Sequence, residues 1–348
     1  MHFASDNAGP VPAQVIEALS RANTGHVPSY GADAVTQGVA DRLRDLFEAP
    51  DAAVYLVPTG TAANVLSLAC LCPPWATVFC APVAHIHEDE CNAPEFYTGG
   101  AKLTLVGDDD RMTPETLRTA IRGEGTRGVH GPARGPVSIT QLTERGNVYS
   151  LDELRALTAV AHEFGLPVHL DGARFSNACV KLGATPAEMS WKAGVDVCVF
   201  GGTKNGLMGV EAVLVFDPDK ARDFEHRRKR GAHLFSKHRY LAAQMEAYLE
   251  GDLWRDLATR ANSRCDQLVQ GLKGAGVELV NDTWANIAFF RAPLAAHKAL
   301  QAQGAVYALW GGTEGLADTD MVTGRLVCDW SLAPEDVSAF LEALRGAL

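Results

Sequence analysis

What the sequence lacks narrows the field first. No run of eighteen apolar residues occurs anywhere in its 348 residues, so no membrane-spanning helix is expected. The opening segment, MHFASDNAGP, has no apolar core of the kind a secretory signal needs, and export is not expected either. None of the eight cysteines is spaced as Cys-x-x-Cys, which argues against a zinc site or a redox motif. Most lie in apolar runs such as LACLC (68–72) and VDVCVFGG (195–202), as reduced, buried thiols of a cytosolic protein would. Positive charge is scarce: 31 Lys and Arg against 42 Asp and Glu leave a net charge of −11. Such a surface repels nucleic acid and anionic membranes, so any anionic ligand needs a local positive site. The single basic run, Arg227 to Arg230, reads as a solvated helix face, or alternatively as an edge that meets an anion. There is no internal repeat and no low-complexity segment.

What is present is an ordinary globular composition, 47% hydrophobic and 21% charged. A chain of this length predicts two unequal domains, placed at 1–247 and 248–348. Apolar runs at 53–57, 77–80, 102–106, 136–140, 167–170, 195–200 and 211–216 read as strands, several too continuously apolar to have a wet face. Helix-like stretches at 61–71, 114–122, 151–164 and 186–193 alternate with them, and Ser150 with Glu153 reads as a capping box. The alternation predicts a doubly wound α/β domain. From residue 236 the pattern changes to a long helical stretch to 275, broken around Gly251-Asp252. Strands at 285–290 and 325–329 and helices at 293–303 and 334–346 complete a smaller α+β domain. The Gly- and Arg-rich stretch 122–135 reads as a mobile surface loop.

Three segments carry chemistry. In HLDGARFSNA (169–178) an apolar strand delivers Asp171 at its C-terminal end, where open α/β sheets bind ligands. Arg174 follows, and a structural Asp–Arg pair is the plain alternative. In VDVCVFGGTKNG (195–206) a buried strand runs into a glycine-flanked turn bearing Lys204. Partial burial favours the neutral, nucleophilic form of an amine, and glycines let the backbone bend and a bulky ligand approach. In PTGTAANVLSL (58–68) a strand turns at Gly60 into a helix starting at Thr61 or Ala62. Its first N–H groups, with the Thr59 and Thr61 hydroxyls, make a phosphate cradle. An aspartate to keep a pyridine nitrogen protonated, a lysine to form a Schiff base and a phosphate cup together point to pyridoxal phosphate (PLP).

With these residues on the page, the sequence resembles the fold-type-I PLP enzymes, and among them the threonine aldolases of the β-eliminating lyase superfamily. The resemblance runs from SDN (5–7) through YG (30–31), GTAAN (60–64) and AHIHEDECNAPEF (84–96) to HLDGARFSNA and FGGTKNG. The low-specificity L-threonine aldolase branch is the nearest. The resemblance implies a seven-stranded, mostly parallel sheet with a smaller C-terminal α+β domain. It also implies cleavage of L-threonine, L-allo-threonine and other β-hydroxy-α-amino acids to glycine and an aldehyde. Lys204 matches the Schiff-base lysine, Asp171 the pyridinium partner, Arg174 the residue near the phenolic oxygen and Ala173 the small residue under the ring. His85 matches the histidine stacked on the ring's other face; beside His87, Glu88, Asp89 and Glu90 it also fits a metal cluster, which a PLP site makes unnecessary. Gly60, Thr61 and Thr203 match phosphate contacts, and Ser5 and Arg325 match residues that hold the substrate carboxylate, with Tyr30 also on the substrate side.

One departure stands out. Where many relatives carry Thr-His-Asn-Gly, this chain reads Thr143-Glu144-Arg145-Gly146. Glu144 replaces the second histidine, which leaves His85, directly or through a water held by Asp89, to take the β-hydroxyl proton. A further phosphate ligand is expected from a neighbouring subunit, Lys237 or its rival Arg239, which makes the enzyme a homo-oligomer, dimer or tetramer, with a shared active site. β-Elimination or another PLP reaction on the same scaffold, and a non-catalytic PLP-binding role, are the competing readings.

Overall fold

The computed structural model describes every residue except Asp282. Seven strands form the larger sheet: β1 (Ala53–Val57), β2 (Ala76–Cys80), β3 (Lys102–Leu105), β4 (Ala133–Thr140), β5 (Val168–Asp171), β6 (Val197–Gly201) and β7 (Glu211–Val215). Their order is β1-β7-β6-β5-β4-β2-β3. Only β7 runs against the others, antiparallel to both β1 and β6. The parallel strands therefore send their following loops to one edge of the sheet. Strands β2, β5, β6 and β7 are buried along their whole length, as continuously apolar runs require when helices cover both faces. Every strand read from the sequence in this half is present.

The helices differ more. The predicted helix at 186–193 is not one: residues 186–190 form turns, and only Trp191–Ala193 makes a 3-10 turn. Ser190 breaks the span: its backbone is non-helical (φ −123°, ψ −110°) and its hydroxyl donates to the Pro186 carbonyl at 2.6 Å. The 122–135 stretch contains a 3-10 turn at Gly128–His130 and then enters β4 at Ala133, earlier than its glycines suggest. Ser150 and Glu153 do form the predicted capping box. Helices at Ala13–Ala22 and Ala34–Leu46, unread in the sequence, pack beside Arg239–Leu249. The chain breaks after that last helix, where Gly251 and Asp252 both adopt left-handed backbone.

A second, antiparallel sheet follows. Its strands are β8 (Glu278–Leu279), β9 (Ile287–Pro293), β10 (Ala308–Trp310) and β11 (Met321–Val327), in the order β10-β11-β9-β8. Helices Leu253–Gly274, Leu294–Ala302 and Pro334–Ala347 join it in a separate core around Phe290, Tyr307 and Phe340. The N-terminus belongs to this core: Phe3 is fully buried there, its ring 5.0 Å from that of Phe340. Its N–H donates to Val306, and its carbonyl accepts from Val327. Residues 4–10 then cross to the larger sheet, and this crossing places Asp6 at the ligand edge.

Candidate active site

The loops after β1, β2, β5 and β6 meet around a cavity of about 320 Å³. Asp171, only 2% exposed, ends β5 with both oxygens engaged. Oδ1 accepts the Ala173 N–H at 3.0 Å and Oδ2 accepts Asn64 Nδ2 at 2.9 Å. The same Asn64 amide donates to Glu90 Oε1 at 2.9 Å, and that oxygen also meets His85 Nδ1 at 2.9 Å. Asn64 thus joins two otherwise separate groups, the carboxylate of Asp171 and a His85–Glu90 pair. The hydrogen bond to Glu90, then Asp171 and Glu144, raise the His85 pKa against the opposing effect of burial. Burial is the main cause that raises Glu90. Glu90 is therefore a buried partner of His85, unlike the exposed His87, Glu88 and Asp89 beside it. Its signal was available: so was that of Asn64, a lone amide on a helix whose other buried residues are nearly all apolar.

Lys204 lines the cavity from the Thr203–Asn205 turn after β6. The glycines before it are needed for close packing. A Cβ at Gly172 would overlap the Val199 carbonyl, and one at Gly201 would sit 2.5 Å from the Ala173 carbonyl. The helix from β1 begins at Gly60, one residue earlier than expected, because Thr59 is its cap and accepts the Ala62 N–H at 3.1 Å. Gly60 and Thr61 sit at its first two positions and line the cavity, where backbone N–H groups are free for an anion. Among the described residues the buried Thr203 hydroxyl has no hydrogen-bond partner. An orphaned hydroxyl facing a helix N-terminus across a small cavity fits a phosphate, while Asp171 and Lys204 fit a pyridine aldehyde. The residues present therefore match PLP.

Arg174 does not pair with Asp171. It forms a bidentate bond to Asp6, Nε–Oδ2 2.7 Å and Nη2–Oδ1 3.0 Å, with both residues buried. Asn286 donates to the same carboxylate at 3.1 Å. Burial raises the Asp6 pKa, but Arg174 more than offsets this and holds it below the usual range. Arg325, on β11, approaches this pair. Its Nη1 reaches the Ala4 carbonyl at 3.5 Å, while its buried Nε has no partner among the described residues. Burial, then the charge of Arg174, lowers its pKa; Asp6, Glu144 and Asp89 counter this. Two neighbouring guanidiniums with one bound carboxylate leave room for a second. Ser5 accepts the N–H of Asn7, which itself lines the cavity. Glu144 sits on a turn closed by Gly146 N–H to the Thr143 carbonyl and latched to Asp110 through Asn147 at 2.9 Å. Asp89 is exposed.

Two expected site residues lie elsewhere in this chain. Tyr30 is not at the Lys204 cavity; its ring lies 4.6 Å from the Lys229 ammonium, beside a separate cavity shared with Arg228 and His238. Lys237 is exposed and also lies outside. Nor is the basic run wholly solvated. Arg228 is 6% exposed, donates to the Leu56 carbonyl at 3.1 Å and packs on Tyr55, because its face of the helix meets the end of β1.

The family profile described as beta-eliminating lyase matches residues 2–295. A low-specificity L-threonine aldolase of Pseudomonas aeruginosa is 42% identical over 99% of this chain and 96% of its own length. The chain belongs to the beta-eliminating lyase family, on its threonine aldolase branch. The fold agrees. A threonine aldolase of Leishmania major superposes with a TM-score of 0.92 at 24% identity, covering 99% of this chain and 98% of that one. A serine palmitoyltransferase of S. paucimobilis with bound PLP superposes at 0.71 and 18% identity, covering 100% and 87%. Lys204, Asp171 and His85 lie on the walls of one cavity.

Proposed function

We propose that this chain is a PLP-dependent threonine aldolase that splits L-threonine, L-allo-threonine and other β-hydroxy-α-amino acids into glycine and an aldehyde. The observation that carries the reading is one cavity with Lys204, Asp171 and a helix N-terminus on its walls. Bound there, the cofactor supplies an electron sink for the breaking Cα–Cβ bond. Lys204 carries the cofactor. Asp171, fixed by Asn64 and Ala173, holds the proton on the ring nitrogen. Gly60, Thr61 and Thr203 hold the phosphate. Arg325, with Ser5, binds the substrate carboxylate and fixes which bond at Cα faces the ring, and Arg174 stays positioned by Asp6.

His85 serves as the base for the β-hydroxyl. Its Nδ1 is held by Glu90, an arrangement that places the ring proton on Nδ1 and leaves Nε2 to accept. The sign of the pH effect follows. A raised His85 pKa means that the neutral base appears only at higher pH than for an ordinary imidazole. Glu90→Gln removes the largest raising cause, so the acidic limb of the kcat profile should move to lower pH. An unmoved limb would assign it to another group. Arg325→Lys keeps the charge and loses the planar fork. Loss of one such charge-assisted bond, about 1.5–3 kcal/mol, corresponds to a KM raised about 10- to 100-fold. An unchanged KM for threonine would place the clamp on another arginine.

The exposed Lys237 and the distant Tyr30 support a homo-oligomer in which a second copy completes the cofactor site. Eight free cysteines, most of them buried, support residence in the cytosol. Among the described residues no helix is long and apolar enough to cross a membrane. The activity is tested by incubating the protein and PLP with each threonine diastereomer. Glycine and acetaldehyde in equal amounts are expected; ammonia with an oxo-acid would make the chain a β-eliminating enzyme instead.

A further inference from the structure

Glu211 is a buried acid that the mechanism above does not use. It opens β7, opposite Val57 of β1 on one side and Gly201 of β6 on the other. That position puts it between the strand leading to Gly60 and the strand leading to Thr203, and it lines the same cavity. It is 4% exposed, and its Oε2 accepts the Gly202 N–H at 2.7 Å. The Thr203 hydroxyl lies close to it without the geometry of a full hydrogen bond. A carboxylate at the phosphate end of an anion site is a conflict if it is ionised, because a negative charge buried there opposes the ligand.

We propose that the cavity holds the cofactor's phosphate most tightly when Glu211 carries a proton, and that losing this proton loosens the phosphate. The acid, with its Oε2 still accepting from Gly202, then offers an O–H toward Thr203, whose own hydroxyl is free to donate to the anion. Binding above the titration range of the free acid takes up one proton from solvent, which remains on Glu211.

Burial is the main cause that pushes the Glu211 pKa up to about 7, opposed by Thr203, the Gly202 N–H and Lys204. A bound phosphate is a further negative neighbour and raises it again. Below this range the acid is protonated with or without ligand, and affinity is unaffected. Above it, affinity falls by up to about tenfold per pH unit until the bound form also titrates. The ionisable groups that face Glu211 are Lys204, on the turn after β6, and Tyr248, whose phenol feels its charge from the helix Arg239–Leu249. β1 brings only Val57 opposite it, and His85 and Asp171 stand on other walls of the cavity. Their coupling to Glu211 is the same whether PLP or pyridoxal is the ligand, so comparing the two ligands in the natural chain and in a variant with a neutral amide at position 211 isolates the effect of the acid on the phosphate.

The inference rests on the PLP reading. Binding of PLP and of pyridoxal, which lacks the phosphate, is measured on the full-length chain freed of cofactor, from about pH 6 to 9. Glu211→Gln keeps an oxygen for Gly202 and cannot ionise. Between about pH 7 and 8.5 the Kd for PLP should rise at least about fivefold more in the natural chain than in the variant. Pyridoxal should show no such divergence. Parallel PLP curves in the two proteins overturn the proposal, as does an equal divergence with pyridoxal. If the variant does not fold, calorimetry of the natural chain near pH 8, in two buffers of different ionisation enthalpy, decides. PLP should take up more protons than pyridoxal, and equal uptake overturns the proposal. Failure of both compounds to bind overturns the cofactor reading beneath it.

Discussion

Lys204→Ala is expected to lower kcat for threonine cleavage by on the order of 10³-fold or more, about 4 kcal/mol of lost barrier lowering, while the fold survives. The turn that bears Lys204 is anchored by its neighbour. Asn205 Nδ2 donates to the Tyr248 hydroxyl at 2.7 Å and to the Trp254 carbonyl at 2.8 Å, and Gly206 accommodates the left-handed backbone (φ 102°) that closes the turn. None of these contacts involves the lysine side chain. Alanine therefore removes the amine and leaves its support, so the thermal midpoint should stay close to that of the natural chain. A rate that persists in a correctly folded variant would show that another group holds the cofactor.

Asp171→Asn is expected to retain cofactor and to lose about 10²–10³-fold in kcat, the scale for losing one preorganised electrostatic partner. Lys204 and the phosphate cradle are untouched, which preserves binding. Two things fail together at position 171. The charge that keeps a proton on the ring nitrogen is gone, and an NH₂ group must now face either the Ala173 N–H or the Asn64 amide. Asn64 can answer only by turning its Oδ1, now buried without a partner, toward position 171, and then it releases Glu90. The His85–Glu90 pair would thereby be disturbed from the far side of the cavity. Retained visible absorbance of bound PLP with a collapsed rate is the expected result; near-normal turnover would remove Asp171 from the electron-sink role.

Much of this was legible in the sequence because it depended on short-range rules. A continuously apolar strand needs cover on both faces, as β2, β5, β6 and β7 have, and all seven strands of the larger sheet were readable as apolar runs. Ser150 with Glu153 announced a helix start through reciprocal hydrogen bonds that need only their spacing. What escaped was set by contacts between distant segments. Asp6 is separated from Arg174 by 168 residues, and the insertion of Phe3 into the second core helps bring the two together. Asn64 and Glu90 sat inside quoted motifs, but the Glu90 oxygen is shared by Asn64 and His85 only once the segments after β1 and β2 meet at one edge of the sheet. Glu211 is the polar first residue of the apolar run 211–216, and its burial follows from β7 lying between β1 and β6, antiparallel to both. The helix expected at 186–193 failed for a local reason, the non-helical backbone of Ser190, whose hydroxyl bonds back to the Pro186 carbonyl.

The central claim, that Lys204 carries the cofactor, is tested most directly by trapping the bond. The protein is loaded with PLP and treated with borohydride, which fixes the carbonyl–amine linkage, and then digested for peptide mass spectrometry. The account predicts the pyridoxyl label on the peptide containing FGGTKNG, at Lys204, and its absence from Lys204→Ala. A label on another lysine in the natural chain, or no label while the protein still cleaves threonine, would contradict it.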